Sequence, residues 1–229
     1  VLGKKVWEEA RVGDVGEEPE YRMVPFNGMD GEEIPWKEVC KMHKNPFSYL
    51  DWVNNRMIKM PEFDFLVPAT INGRPTTINL VIEVFANARL PIGCSYIDPA
   101  IEAEYGDIPI EKPYFARHTW SVVNDTRNKD PDVRVVQINE KGQGFYRFPK
   151  LIETMIFQFL SYQAGIKSGY GEDPLTWSQC VETLTVNGVE HPVYAGAFES
   201  PAPGAPDGLD FYYDDCVSEG DGAAGLREL

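Results

Sequence analysis

The amino-acid sequence predicts an α+β fold in two tandem homologous domains, each a mainly antiparallel β-sheet with packed helices, related by pseudo-two-fold symmetry. Three observations support this prediction. Short apolar segments show either the alternation of a strand or the three-and-four spacing of a helix. Two Asn-Gly dipeptides, at 72–73 and 187–188, are typical of tight hairpin turns. The second half of the chain also repeats features of the first half at an offset of roughly 113 residues.

Matching residues occur in the same order in both halves of the chain, and the offset between them changes by only a few positions. The matched pairs are Trp7 with Trp120, residues 21–27 with 133–139, residues 70–73 with 185–188, and Phe85 with Phe198. We therefore predict a first repeat at 1–112, a second repeat at 113–198, and a Pro/Gly-rich acidic arm at 199–229. This arm either completes the second repeat or docks on a neighbouring subunit after a flexible linker.

The first repeat is predicted to begin with strands at 6–12 and 21–26, separated by a turn-rich segment. A helix is predicted from Pro35, and its apolar stripe continues through residues 47–58. The clearest strand of the chain is predicted at 76–85, where apolar residues alternate along the segment after the first Asn-Gly turn.

Similar elements are predicted for the remainder of the chain. The first repeat ends with a strand at 94–97. In the second repeat, residues 151–160 form an apolar helix, and residues 184–198 form a hairpin around the second Asn-Gly turn. Residues 211–213 are the candidate for a final strand if the C-terminal arm completes this repeat.

The chain is strongly acidic, with 36 Asp and Glu against 21 Lys and Arg and a formal net charge of −15. This charge repels phosphate backbones and anionic membrane surfaces, so neither nucleic acid nor a membrane is predicted as a partner. No apolar run reaches the roughly 18 residues that span a bilayer, and no secretory signal is recognisable. Because the sequence begins at Val1, we expect either that a targeting segment has been removed or that a disordered arm precedes it.

No motif identifies a catalytic, cofactor-binding or metal-binding residue, and none is predicted. His43, His118 and His191 lack the spacing of a zinc motif, and the pair formed by Cys40 and His43 has no second pair to complete four ligands. The cysteines lie far apart in a chain long enough to fold without disulfides, so we expect reduced, mostly buried thiols. They are Cys40, Cys94, Cys180 and Cys216.

The tandem arrangement resembles the diatom pyrenoid shell proteins, which are plastid-targeted chains with two related β-rich domains. The resemblance rests on the paired segments 21–27 with 133–139 and 70–73 with 185–188, on the acidic balance, and on the absence of a starting Met. It implies a structural protein, not an enzyme, that self-assembles into a sheet or tube lattice. That lattice encloses the carbon-fixing enzyme condensate of the chloroplast and limits the escape of carbon dioxide.

The same resemblance implies partners and a location. Other copies of the chain are the expected partners, with paralogous shell proteins or the carbon-fixing enzyme as further candidates. The expected location is the pyrenoid periphery after removal of a targeting segment, and otherwise a soluble intracellular one. The predicted assembly contacts are the apolar and aromatic residues of the C-terminal arm, namely Leu209, Phe211, Tyr212, Tyr213 and Val217.

The alternative function is that of a small plastid or cytosolic hydrolase or lyase. Its site would occupy the cleft between the two repeats and would use carboxylate or Cys/His chemistry. Asp64 and Glu83 are the carboxylates that the first hairpin could bring together.

Overall fold

A computed structural model describes residues 2–10, 12–19, 48–51, 56–59, 61–87, 92–142, 144–166, 170, 176–196, 207–214 and 220–229. Its helices are α1 (Lys4–Glu9), α2 (Ile78–Asn87), α3 (Pro99–Tyr105), α4 (Pro131–Lys141) and α5 (Leu151–Gln163), with a short 3-10 helix at Asn124–Thr126. Its strands are β1 (Ser48–Asp51), β2 (Arg56–Lys59), β3 (Glu62–Val67), β4 (Thr70–Ile71), β5 (Arg74–Pro75), β6 (Ile92–Ile97), β7 (Tyr114–Thr119), β8 (Trp177–Val186), β9 (Val189–Gly196), β10 (Asp207–Tyr213), β11 (Asp221–Gly222) and β12 (Leu226–Glu228).

Two sheets form the framework. The strand order of the larger sheet is β11-β8-β9-β10-β6, in which β8, β9 and β10 are antiparallel and the edge strands β11 and β6 pair in parallel with their neighbours. In the three-stranded sheet, β7 lies in the middle and pairs antiparallel with β3 and β12. The pairs β1–β2 and β4–β5 are separate antiparallel ribbons.

Helix α5 contacts both sheets and is buried on every side along residues 151–161. Most of these residues are apolar, and the polar ones among them are buried as well, namely Glu153, Thr154, Gln158 and Ser161. Phe157 packs against Phe65 of β3, with ring centroids 5.5 Å apart, and Phe159 packs against Phe85 of α2 at 4.4 Å. The helix also contacts β8 and β9 of the larger sheet. It therefore organises the main hydrophobic core.

The predicted α+β class is confirmed, with helices and mixed, mainly antiparallel sheets. The duplication into two homologous domains and the pseudo-symmetry are not confirmed. Strand β6, before residue 112, pairs with β10, and strand β7, after it, pairs with β3. One buried core includes residues from both halves. Of the matched residues, Trp7 lies in α1, whereas Trp120 follows β7.

The strand predicted at 76–85 is wrong, because Ile78–Asn87 form helix α2. Thr77 precedes this helix, and its Oγ1 accepts a hydrogen bond from the N–H of Leu80 at 3.1 Å, as an N-cap does. Apolar residues in this segment satisfy the helical spacing as well as the alternation. The buried ones are Ile78, Leu80, Val81, Val84 and Phe85. Packing against α5 decides between the two patterns.

The strand predicted at 6–12 is also wrong, since α1 occupies its first half. Trp7 and Ala10, three positions apart, are buried on the same side. On the solvent side, Nζ of Lys5 lies 3.6 Å from a carboxylate oxygen of Glu9, one helical turn away. The buried and the exposed residues of this segment therefore recur at a spacing of three to four positions, which is the period of a helix.

Strands β1 and β2 contradict the predicted continuation of a helix through 47–58. The beginning of that helix at Pro35 and the strand predicted at 21–26 lie outside the described residues. For the residues that the structure describes, no helix combines the length and apolar character needed to cross a membrane.

Both Asn-Gly hairpins are confirmed. Asn72 and Gly73 join β4 to β5 with φ angles of 54° and 72°, and Asn187 and Gly188 join β8 to β9 with 53° and 81°. Positive φ at both central positions is the geometry of a type I′ turn, which Asn-Gly favours. The predicted apolar helix and the strand at 94–97 are likewise confirmed as α5 and as the end of β6.

Candidate functional site

The predicted assembly contacts lie on β10, an internal strand between β9 and β6. Leu209 and Phe211 are 0% and 1% exposed and pack in the core, so they are covered within the chain itself. Tyr212 and Tyr213 are half-buried, and Val217 lies outside the described residues. The strand expected at 211–213 is thus present, but it is not the final one, because β11 and β12 follow it, and it pairs with β6 as well as β9. The role of this segment in assembly stays a prediction.

The outer face of the larger sheet carries a cluster of polar and aromatic side chains. The strand register places Gln179 of β8 and Tyr212 of β10 on either side of Tyr194 of β9. The rings of Tyr194 and Tyr212 stack with centroids 5.5 Å apart, and Trp177 meets Tyr212 edge-on at 4.4 Å. Both geometries are favourable for aromatic pairs, so this face is well ordered by its own side chains.

Helix α4 directs Arg134 into this cluster. The side chain is fully buried, and Nη1 donates to the hydroxyl of Tyr194 at 2.9 Å and to Oε1 of Gln179 at 3.4 Å. The guanidinium carbon lies 5.5 Å from the centroid of the Tyr194 ring, within cation–π range. Nε and Nη2 are buried and have no hydrogen-bond acceptor among the described residues. We call Arg134, Gln179, Tyr194 and Tyr212 the Arg134 cluster.

Two carboxylates border the Arg134 cluster. The hydroxyl of Tyr212 donates to Oδ1 of Asp221 at 3.3 Å, and Asp214 acts electrostatically on both tyrosines. Burial raises the pKa of Tyr194, Arg134 lowers it, and the two carboxylates raise it further, so that the pKa lies above its ordinary value. Burial and Asp221 also raise the pKa of Tyr212. Both hydroxyls therefore keep their protons at neutral pH.

A second arginine lies at the β11 end of the same sheet. Nη2 of Arg127 donates to Oγ1 of Thr176 at 2.9 Å, and Nη1 donates to the carbonyl of Gly220 at 3.3 Å. Burial lowers the pKa of Arg127 below its ordinary value, and Asp221 partly offsets this. Unlike Arg134, both terminal nitrogens of this guanidinium have acceptors.

The opposite side of α4 exposes apolar side chains. Val133, Val135 and Val136 are 42%, 49% and 50% exposed, whereas the buried residues of the helix are Arg134 and Ile138. An ordinary surface helix buries its apolar residues and exposes its charges. β-branched residues also reduce helix propensity slightly, so the valines do not serve the stability of the isolated helix. We call these three residues the valine surface.

Strand β6 forms an edge of the larger sheet. The opposite edge, β11, is covered, because the N–H of Asn128 donates to the carbonyl of Asp221 at 3.1 Å. Within the described part of the chain, no backbone hydrogen bond reaches the outer side of β6, and Tyr96 on this strand is 50% exposed. Free donors and acceptors on a strand edge are a template for another strand.

The carboxylates considered for an enzyme site are each held by an arginine. Arg117 binds Asp64 through both Nε and Nη2, the second bond measuring 2.8 Å. Arg74 binds Glu83 through two bonds of 2.7 and 2.8 Å on the surface. These carboxylates therefore form two separate ion pairs.

His118 is fully buried and stacks on Phe157, with ring centroids 4.3 Å apart. Its Nδ1 lies 2.5 Å from the carbonyl oxygen of Thr119, an acceptor that assigns the ring proton to Nδ1. Burial lowers the pKa of His118 to about 4, so the imidazole is neutral at pH 7. This ring belongs to the core between β7 and α5.

The two described cysteines carry no disulfide. Burial raises the pKa of Cys94 to about 12 and that of Cys180 well above its ordinary value, so both are protonated thiols. His191 is half-buried beside Tyr213, and Cys40, His43 and Cys216 lie outside the described residues. Among the residues that are described, no group of three or more His, Cys, Asp or Glu side chains is placed to hold a metal ion.

Sequence reasoning did not single out Arg134 or the valine surface. It paired residues 133–139 with residues 21–27, most of which were predicted to form a strand, because three identities recur at the same offset. The signal for the helix was present in Asp130 and Pro131, because proline is favoured at the first helical position. No protein-family model matches the chain, and no significant match exists among curated proteins or solved structures.

Proposed function

We propose that this protein self-associates into an extended sheet or tube, with a second copy of the chain covering the valine surface. The observation that carries this proposal is the inverted exposure of α4, which buries Arg134 and exposes Val133, Val135 and Val136. Apolar side chains grouped on a polar surface are typical of protein–protein contacts.

The shape of α4 suits a second copy as the occupant. Lys141, at the C-terminal end of the helix, already pairs with Asp125 of the same chain, so the contact depends on the apolar residues and not on charge. When two α4 helices pack antiparallel about a two-fold axis, the valine surface of each meets that of the other. Such a contact is self-complementary in its apolar residues.

Growth beyond a dimer needs a second contact, and we assign it to the edge of β6. Arg134 of α4 binds Tyr194 of β9 and Gln179 of β8, so the helix lies over a face of the sheet, whereas β6 forms an edge of the same sheet. The valine surface, on the side of α4 opposite Arg134, and the β6 edge are therefore separate contacts. Two separate contacts on one protomer can propagate, whereas one two-fold contact closes as a dimer.

The cellular setting of this proposal comes from the resemblance to pyrenoid shell proteins. In that setting the assembled layer encloses the carbon-fixing enzyme condensate at the pyrenoid periphery. Paralogous shell proteins or the enzyme itself would contact its faces. A fluorescent fusion expressed in a diatom checks the location, since a diffuse signal throughout the cell would contradict it.

The test of self-association is negative-stain electron microscopy with light scattering across a salt series. Wild-type protein is expected to form ordered assemblies, and Val136→Glu is expected to lose them, because a charge enters the centre of the valine surface. Val189→Glu is the matched control, since Val189 is 54% exposed and lies at the β8–β9 turn. Uniform monomers of the wild type at every salt concentration would overturn the proposal.

A second pair of variants separates the two contacts. Tyr96→Lys places a charge on the edge of β6, a common means of blocking strand pairing. We expect it to stop growth at dimers, while Ile108→Lys, at a position 55% exposed, leaves assembly unchanged. Full assembly of Tyr96→Lys would exclude the β6 edge as the second contact.

A further inference from the structure

We propose that the Arg134 cluster is a buried binding site for a small planar carboxylate, held by Nε and Nη2 of Arg134. This proposal does not rest on self-association. Its basis is a guanidinium that is 0% exposed, in a sheet face lined by tyrosines, with two nitrogens that lack acceptors among the described residues.

Arg117 shows what the unfilled edge of Arg134 is suited to bind. Nε and Nη2 of Arg117 donate side by side to the two carboxylate oxygens of Asp64. The same two atoms of Arg134 are the ones without acceptors. Because the spacing of these two N–H groups matches the two oxygens of a carboxylate, a planar carboxylate is the natural complement.

The contacts already present leave the charge of Arg134 without a directly bonded counterion. Nη1 donates to the neutral groups of Tyr194 and Gln179. Asp221, beside the cluster, accepts from the hydroxyl of Tyr212. Burying a charge without a partner is costly, and an unsatisfied buried group commonly indicates a bound ion or water. A bound carboxylate supplies the missing charge and both missing acceptors.

The neighbours of Arg134 define the polarity of the site. The Tyr194 oxygen accepts from Arg134, so its own proton remains to be donated to a carboxylate oxygen. Gln179 and Tyr194 are buried, and Tyr212 is half-buried. Because these neighbours are buried or half-buried, formate and acetate, the smallest carboxylates, are the appropriate probes.

The experiment measures the thermal midpoint of the full chain in formate or acetate against chloride at equal ionic strength. At an anion concentration about ten times the Kd, the wild type is expected to gain roughly 3 to 5 °C. Arg134→Met and Arg134→Lys are expected to show no such gain, because lysine keeps the charge but lacks the paired N–H groups. Arg74→Met, which breaks a surface ion pair, is the matched control and is expected to retain the full gain.

Direct titration calorimetry of the wild type with acetate provides a second readout. If the Arg134 variants fail to fold, Tyr194→Phe tests the same site, because it removes one hydroxyl and is expected to weaken acetate binding several-fold. The proposal is overturned if the wild type shows neither heat nor a thermal gain with formate and acetate. It is also overturned if Arg134→Met gains as much as the wild type, or if phosphate alone stabilises the protein.

Discussion

Arg147 and Glu153 form a two-bond ion pair, with Nη2 2.6 Å from Oε1 and Nη1 2.8 Å from Oε2. Glu153 is completely buried in the first turn of α5 and also accepts bonds from the hydroxyl of Tyr114 and the N–H of Lys150. Burial alone would raise the pKa of Glu153, but Arg147 and these donors outweigh it and hold the pKa below its ordinary value. The pair joins the three-stranded sheet to the central helix.

Removing Arg147 is expected to destabilise the fold strongly. In Arg147→Met the buried carboxylate of Glu153 loses its counterion, and the free energy of unfolding is expected to fall by about 3 to 5 kcal/mol. Urea denaturation at pH 7 measures this change. Arg74→Met is the control, because the Arg74–Glu83 pair lies on the surface and its loss is expected to matter far less. Equal effects of the two substitutions would contradict the role assigned to the buried pair.

His118 and Glu182 are expected to give opposite pH dependences of stability. Burial lowers the pKa of His118 to about 4, so between pH 4 and 6.5 the unfolded state binds more protons and stability rises with pH. The carboxylate of Glu182 accepts a hydrogen bond from the N–H of Leu151 at 3.0 Å. Its burial raises the pKa of Glu182 to about 7. Between pH 4.5 and 7 the folded state therefore binds more protons, and stability falls as the pH rises. The two contributions oppose each other between pH 4.5 and 6.5.

Single substitutions separate these contributions. Relative to wild type, the free energy of unfolding of His118→Phe is expected to decrease by about 3 kcal/mol as the pH rises from 4 to 6.5. That of Glu182→Gln is expected to increase by a similar amount, about 3 kcal/mol, between pH 4.5 and 7. Denaturation curves at half-unit pH steps provide the measurement. A difference from wild type that stays constant with pH would show that the substituted group does not titrate as described.

Two glycines of β9 and its turn are expected to differ in their tolerance of alanine. Gly188 has a φ of 81° with open space around it, so Gly188→Ala meets only backbone strain, about 1 kcal/mol. At Gly196 an added Cβ would lie 2.6 Å from Cα of Trp177 on the neighbouring strand. Because backbone cannot move as a side-chain end does, Gly196→Ala is expected to cost more. Thermal denaturation ranks the two, and the reverse order would contradict this assignment.

Assembly is expected to depend on salt because every protomer carries a formal charge of −15. Raising the ionic strength from about 0.01 M to 0.15 M shortens the screening length from about 30 Å to 8 Å, which reduces repulsion between copies. The protein concentration at which scattering rises should therefore decrease across this range. Light scattering measures this concentration, and sedimentation velocity gives the size of the assemblies. Dissociation of the assemblies on adding salt would point to ionic contacts in place of the valine surface.

Local sequence was sufficient for the elements whose cause is local. An Asn-Gly dipeptide adopts positive φ readily, so both type I′ hairpins could be predicted without knowledge of the rest of the chain. Residues 151–160 are mainly apolar, with seven of ten positions occupied by Leu, Ile, Met or Phe, which is typical of a buried segment, and they form α5. The α+β class follows from recognising such segments. Net charge likewise depends on composition alone.

Long-range packing was needed for everything that involves partners distant in sequence. The apolar residues between Ile78 and Phe85 fit both the two-residue period of a strand and the 3.6-residue period of a helix. The contact of Phe85 with Phe159 of α5 favours the helix. The pairing of β10 with β6 spans the predicted domain boundary, which repeat matching could not anticipate, because residue identity does not specify strand partners. Arg134 of α4 could not be recognised as a site residue from sequence, because its partners Tyr194 and Gln179 lie on two strands far away in the chain. From sequence alone, a charged residue in a helix with several other polar residues is expected to face solvent, because burial is a property of the whole tertiary structure.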